Sequence, residues 1–138
     1  MINQFSKAEM EYLRSQRLAR IATVSSNGQP DVVPVGLGFD GKYFWVGSYD
    51  QEILFRGMKY KNVKNGNKLV SLVVDDLESV NPWKPRNVKI YGEAEILDHE
   101  GRFGKGKYLR ITPKISWSSG LAGLETGKDG WRKKTFHK

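Results

Sequence analysis

The 138-residue sequence contains no cysteine, so it has neither disulfides nor thiolate metal ligands. It has only two histidines, His99 in an expected turn and His137 near the end, and neither has neighbours at metal-ligand spacing. No nucleophilic Ser/His/Asp or Cys/His arrangement can be assembled from so few bases. No apolar run approaches the length of a membrane span, and Met1 to Phe5 lack a signal-peptide core. These absences point to a soluble, cytoplasmic, single-domain protein without a metal centre. The chain is long enough to bury a core without covalent staples. Acidic residues are also in deficit, 15 against 23 lysines and arginines, leaving a net charge of +8. Such a balance favours an anionic partner such as a phosphate-bearing ligand or a nucleic acid.

What is present reads as strands punctuated by tight turns. Ser6 with Glu9 three residues on forms a capping-box signature, predicting a helix over 6–16 with Met10 and Leu13 on its apolar stripe. Leu18 to Val24 is a strand ending at Asn27-Gly28, a strong hairpin signal. Pro30 to Phe39 resumes an extended pattern, in which Pro34 marks an edge or a bulge because it has no N–H for a ladder. Asp40-Gly41 turns into a third strand, Lys42 to Ser48, with Trp45 expected in the core.

A basic helix is predicted over 51–68, closed by Asn65-Gly66-Asn67. A strand end feeding a basic helix can hold phosphate; a solvated surface helix is the competing reading of the same charges. Leu69 to Val74 is a fourth strand, Asp75-Asp76 a polar strand end, and 77–86 a loop broken by Pro82 and Pro85. Asn87 to Leu97 alternates cleanly as a fifth strand, 98–105 is a connection, and Tyr108 to Trp117 is a sixth. The expected fold is mainly β: a six-stranded antiparallel barrel with flanking helices. Residues 1–120 form this domain. Residues 121–138 are a basic tail, mobile or docked on a partner.

The order of motifs resembles the pyridoxamine 5′-phosphate oxidase-like FMN-binding split-barrel family. It is carried by Glu9 to Val24, by Gly28-Gln29-Pro30 with Val32 to Gly36, and by the basic helix. It continues in Leu72 to Leu77, Asn81 to Glu95 and Arg110 to Trp117. It covers about residues 5 to 120 and is closest to the deazaflavin (coenzyme F-420)-dependent oxidoreductase subgroup. The resemblance implies a homodimer with FMN, or alternatively the deazaflavin coenzyme F-420, at each of two subunit-interface sites. It implies hydride transfer with a small organic substrate, the cofactor supplying the redox chemistry.

Residue by residue, Val33, Pro34 and Val35 would lie along the ring, and Gly47 and Ser48 near the ribityl and phosphate end. Arg56, Lys59 and Lys61 would take the phosphate. Trp83, Arg86 and Trp117 would approach from the second subunit or border the substrate. The sequence departs from the family pattern by placing Gly57 and Met58 between Arg56 and Lys59. Two other classes stand beside this reading. One is a non-catalytic flavin or deazaflavin carrier. The other is a nucleic-acid-binding barrel, favoured by basic residues interleaved with aromatics but lacking the expected RNA-binding signatures.

Overall fold

The computed structural model describes residues 4–121 and 133–138. The capping box is formed: Ser6 Oγ accepts from the Glu9 amide, and a Glu9 carboxylate oxygen accepts from the Ser6 amide. It starts α1 (Lys7–Ser15). Then follow β1 (Leu18–Val24), β2 (Pro30–Gly36), β3 (Gly38–Phe39) and β4 (Phe44–Val46). Next come α2 (Gln51–Arg56), α3 (Met58–Lys64), β5 (Leu69–Ser79), β6 (Lys84–Gly101), β7 (Gly104–Ser119) and β8 (Lys133–Phe136).

All pairings are antiparallel, in the order β2-β1-β5-β6-β7-β4-β3, with β8 also on β7. The two end strands, β2 and β3, are separated in the chain by Leu37 alone. The sheet must therefore curl round to bring its ends together, which makes the split barrel. Its interior holds Ile21, Phe44, Leu72, Ile90, Leu109 and Ile111, each at most 1 % exposed. Burying side chains of this size contributes about 1.5–3 kcal/mol each.

Several sequence expectations are corrected. Among the described residues eight strands stand where six were expected, because 30–39 is two strands and 133–136 adds β8. The basic helix over 51–68 is two short helices. Gly57 is extended (φ −73°, ψ 147°), closing α2 and opening α3. Lacking a Cβ, glycine leaves a helix at little cost, and here it does so rather than merely weakening one. Asp75-Asp76 is not a strand end, since β5 runs on to Ser79 and β6 starts at Lys84. The predicted loop 77–86 shrinks to the turn around Pro82. The connection 98–105 is likewise paired hairpin, closing at Arg102-Phe103. Trp45 is only half-buried, on the outer side of β4.

The segment after Gly120 ends in structure. His137 is buried, its Nδ1 accepting from the Gln4 amide and its Nε2 lying 2.8 Å from Ser116 Oγ. In the neutral ring Nε2 therefore carries the proton and donates to Ser116.

Candidate functional site

The three cations expected at the phosphate have different settings. Arg56 and Lys61 are exposed, and Arg56 Nε donates to the Glu52 carbonyl of its own helix. Lys59, in the first turn of α3, is half-buried. Burial pushes its pKa below the ordinary lysine value, while the Asp31 carboxylate works in the opposite direction. The Lys59 ammonium packs beside Gly57, 3.5 Å from where a Cβ would stand, an ordinary contact distance. The helix is fixed over the sheet by a buried bond of 2.9 Å from Asn62 Nδ2 to Thr23 Oγ1. Thr23 faces Asp31 across β1 and β2. Lys59 therefore stands at the N-terminal end of β2.

β2 is an end strand, pairing among the described residues with β1 alone, so its outer edge offers backbone groups outside the ladder. Val33 and Val35 face inward, opposite Ile21 and Ala19; Pro34 faces outward, opposite Arg20. Gly47 is pressed by Tyr108, whose Cδ2 would be 2.6 Å from a Cβ at that position. Ser48 Oγ accepts from the Asp50 amide. Gln51 Oε1 accepts from the Lys107 amide at 2.7 Å, fastening 47–51 to the β6–β7 hairpin.

The outward face of the sheet is built in rows. One row runs Pro34, Arg20, Val73, Lys89, Trp117, Lys134 across six strands. The next runs Val32, Ala22, Ser71, Tyr91, Ile115, Phe136. This face leaves Val32 66 %, Leu69 72 % and Phe136 59 % exposed. Trp117 is boxed by the Tyr91 ring at 4.8 Å and by Lys89 Nζ at 4.3 Å.

Arg86 lies elsewhere. It is in register with Asp76 and forms a two-point ion pair with it (2.6 and 3.0 Å) beside α1. Tyr12 Oη donates to the same carboxylate. The Arg86 hydrogen bond holds the Asp76 carboxyl below the usual range, and burial, with the Asp76 hydrogen bond next, pushes the Tyr12 phenol up. The structure thus brings Trp117 and Pro34 onto one face but places Arg86 at α1. Trp83 is 66 % exposed in the β5–β6 turn.

Sequence reasoning missed a cleft of about 590 Å³ between the end of α1, β3, β4 and the β6–β7 hairpin. Trp45 stacks on His99 there at 3.6 Å and 4°, and its indole N–H donates to Asp40. Burial works against ionisation of Asp40. Bonds from the Tyr43 amide, the Trp45 indole and the Lys42 amide outweigh it and hold the carboxyl below the usual range. Arg14, Arg17 and Arg102 border the cleft. No local pattern announces it, because Trp45 and His99 meet only through the register of β4, β7 and β6.

Residues 5–124 match the family model described as pyridoxamine 5′-phosphate oxidase. The chain belongs to this family. A 5a,11a-dehydrotetracycline/5a,11a-dehydrooxytetracycline reductase of Streptomyces rimosus is 33% identical over 128 residues, covering 89% of each chain. An F420 reductase shares the fold (TM-score 0.61, 16% identity, 81% of this chain and 98% of that one). So does an FAD-binding protein of Mesorhizobium loti (TM-score 0.62, 20% identity, 83% and 91%). The split-barrel expectation is met, and the match assigns the chain to a family of flavin-type oxidoreductases.

Proposed function

We propose that the protein is a homodimeric oxidoreductase that holds FMN or coenzyme F-420 between two copies of the chain and passes hydride to a small unsaturated organic substrate. The observation that carries this reading is the outward face. Pro34 and Trp117 lie in one row of it, four strand steps apart. At the usual strand spacing that is about 19 Å of sheet. One chain cannot close this distance, whereas a second copy laid on the same outward face would supply its Trp117 opposite Pro34. The neighbouring row, with Val32, Tyr91 and Phe136 exposed, is the kind of apolar patch that marks an interface.

The residues fit a flavin-type group. The edge of β2 offers backbone donors and acceptors to a polar ring edge. Lys59, half-buried beside Gly57, offers a partly desolvated ammonium to a phosphate, with Arg56 and Lys61 as outlying charge. Gly47 and Ser48 lie on the segment fastened to the β6–β7 hairpin, on the ring side of this site. Trp83 and Trp117 are the aromatic groups available to the substrate side, while Arg86, held by Asp76, orders α1 against the sheet. When bound, the cofactor supplies the hydride chemistry. The chain orients the ring, neutralises the phosphate and keeps water from the covered face. The Streptomyces relative is by name a reductase of a dehydro compound, which supports reduction as the direction.

Titration of the purified protein with FMN and with F-420, followed by steady-state turnover with a reducible C=C substrate, tests the reading. Micromolar binding with turnover supports it, and binding without turnover leaves a carrier. Salt-sensitive oligonucleotide binding with neither cofactor bound overturns it.

A further inference from the structure

We infer that Phe103 and Tyr49 form an aromatic wall that positions the cofactor ring at the end of β2, and that Gly36 exists to let this wall approach. The inference rests on the flavin-type reading above. Gly36 lies two residues beyond Pro34 and opposite Leu18, so its missing side chain would point from the same outward face. A Cβ there would overlap the tip of the Phe103 ring, with Cε1 and Cε2 at 3.2 and 3.4 Å. Phe103 thus occupies the volume that any other residue at position 36 would fill. The Tyr49 ring meets Phe103 edge to face at 4.9 Å and is 80 % exposed.

The wall is rigidly mounted. Arg102 Nη1 donates to the Leu37 carbonyl at 2.7 Å, pinning the hairpin tip to the link between β2 and β3. The Phe103 amide donates to Tyr108 Oη at 3.0 Å, and that hydroxyl donates to the Gly104 carbonyl at 2.6 Å. Tyr49 follows Gly47 and Ser48 directly, so the wall sets that segment at the Gly36 end of β2, on the ring side, whereas the resemblance implies a place near the ribityl and phosphate end. A planar heteroaromatic whose polar edge runs along Val33 to Val35 meets Phe103 with its apolar edge. Lys59, near the other end of β2, is left to the phosphate. The ring and the phosphate are thereby held by different residues at opposite ends of one strand.

The experiment separates these two ends. Wild type, Phe103→Ala, Gly36→Ala, the double variant and Lys59→Ala are titrated with FMN and riboflavin, and with F-420 and its phosphate-free chromophore. Thermal melts check that each folds. Removing one aromatic packing partner is expected to weaken binding about ten-fold. Phe103→Ala should weaken the phosphorylated and phosphate-free forms of the cofactor equally. Lys59→Ala should weaken only the phosphorylated form. Gly36→Ala should match Phe103→Ala, because its effect passes through the displaced ring, and the double variant should be no worse than either single one. If Lys59→Ala acts as stated while Phe103→Ala and Gly36→Ala bind the chromophore as wild type does, the wall is overturned alone. Additive losses in the double variant also overturn it. If wild type binds no form of either cofactor, the function and the wall fall together.

Discussion

The two faces of the β2-β1-β5-β6-β7-β8 sheet are made from alternate residues of the same strands, yet they differ in what covers them. Inward, Ile21, Leu72 and Ile90 are at most 1 % exposed. Outward, Val32, Leu69 and Tyr91 stand 66 %, 72 % and 45 % exposed although their side chains are wholly or largely apolar. An antiparallel sheet with one solvated face normally alternates apolar with polar. Here the outward face is mixed: a row carrying Arg20, Lys89 and Lys134 runs beside one in which Val32, Tyr91 and Phe136 are left bare by this chain. That difference makes the inward face a matter of stability, and the outward face is the one that the proposed function gives to assembly and ligand binding.

Five measurements can break or sharpen this contrast. Ile90→Ala, inward, should cost about 2–5 kcal/mol in urea denaturation while the surviving folded protein keeps its oligomeric state. A loss below about 1 kcal/mol would mean that the inward face is not the main source of stability. Val32→Asp, outward, should leave the melting of the fold nearly unchanged but shift the dimer to monomer in light scattering and abolish cofactor binding with it. Retention of both would remove the outward face from the site.

Lys59→Ala should weaken binding of the phosphorylated cofactor by about 1.5–3 kcal/mol, and Arg56→Ala by less, since Arg56 is exposed. The pH dependence has a defined sign. Burial lowers the Lys59 pKa, so the unfolded chain keeps this proton to higher pH, and stability rises with pH between the lowered and the ordinary lysine value. Phosphate affinity has the opposite sign, falling as pH rises and the ammonium is lost, and Lys59→Met should flatten that limb of the titration. The smallest effect is expected at the exposed Arg20–Asp75 pair on the outward face. Arg20→Ala should change stability by about 0–1 kcal/mol, and less at high salt.

Local chemistry was legible wherever neighbours in the chain decide the outcome. The Ser6/Glu9 box began α1 as read. Gly28, Gly41 and Gly66 all adopt positive φ at the turns inferred for them. Pro34 does lie in a strand at the sheet's edge. Features set by distant partners were illegible. Gly57 broke a helix that charge and apolar spacing had joined. The prolines around 82–85 suggested a loop, but only Pro82 sits in the turn; Pro85 faces Leu77 within the β5–β6 ladder, where the register shifts. Trp45 looked like core and instead stacks on His99 from a hairpin more than fifty residues away. At the candidate site, the sequence put Arg56 and Lys59 ahead of Lys61, and only the structure separates Arg56, which is exposed, from Lys59, which is half-buried near Asp31.

By itself the sequence determined the strand-rich class, the turns, the first helix, the family and the excess of positive charge. These follow from period, capping and composition, which act over a few residues or none. Only the tertiary structure decided which side of each strand is covered. It also separated Arg86 from Trp117, and it brought Phe103 onto Gly36 across 67 residues of chain. Such contacts depend on strand register, and a shift of one residue would turn every side chain of a strand to the other face.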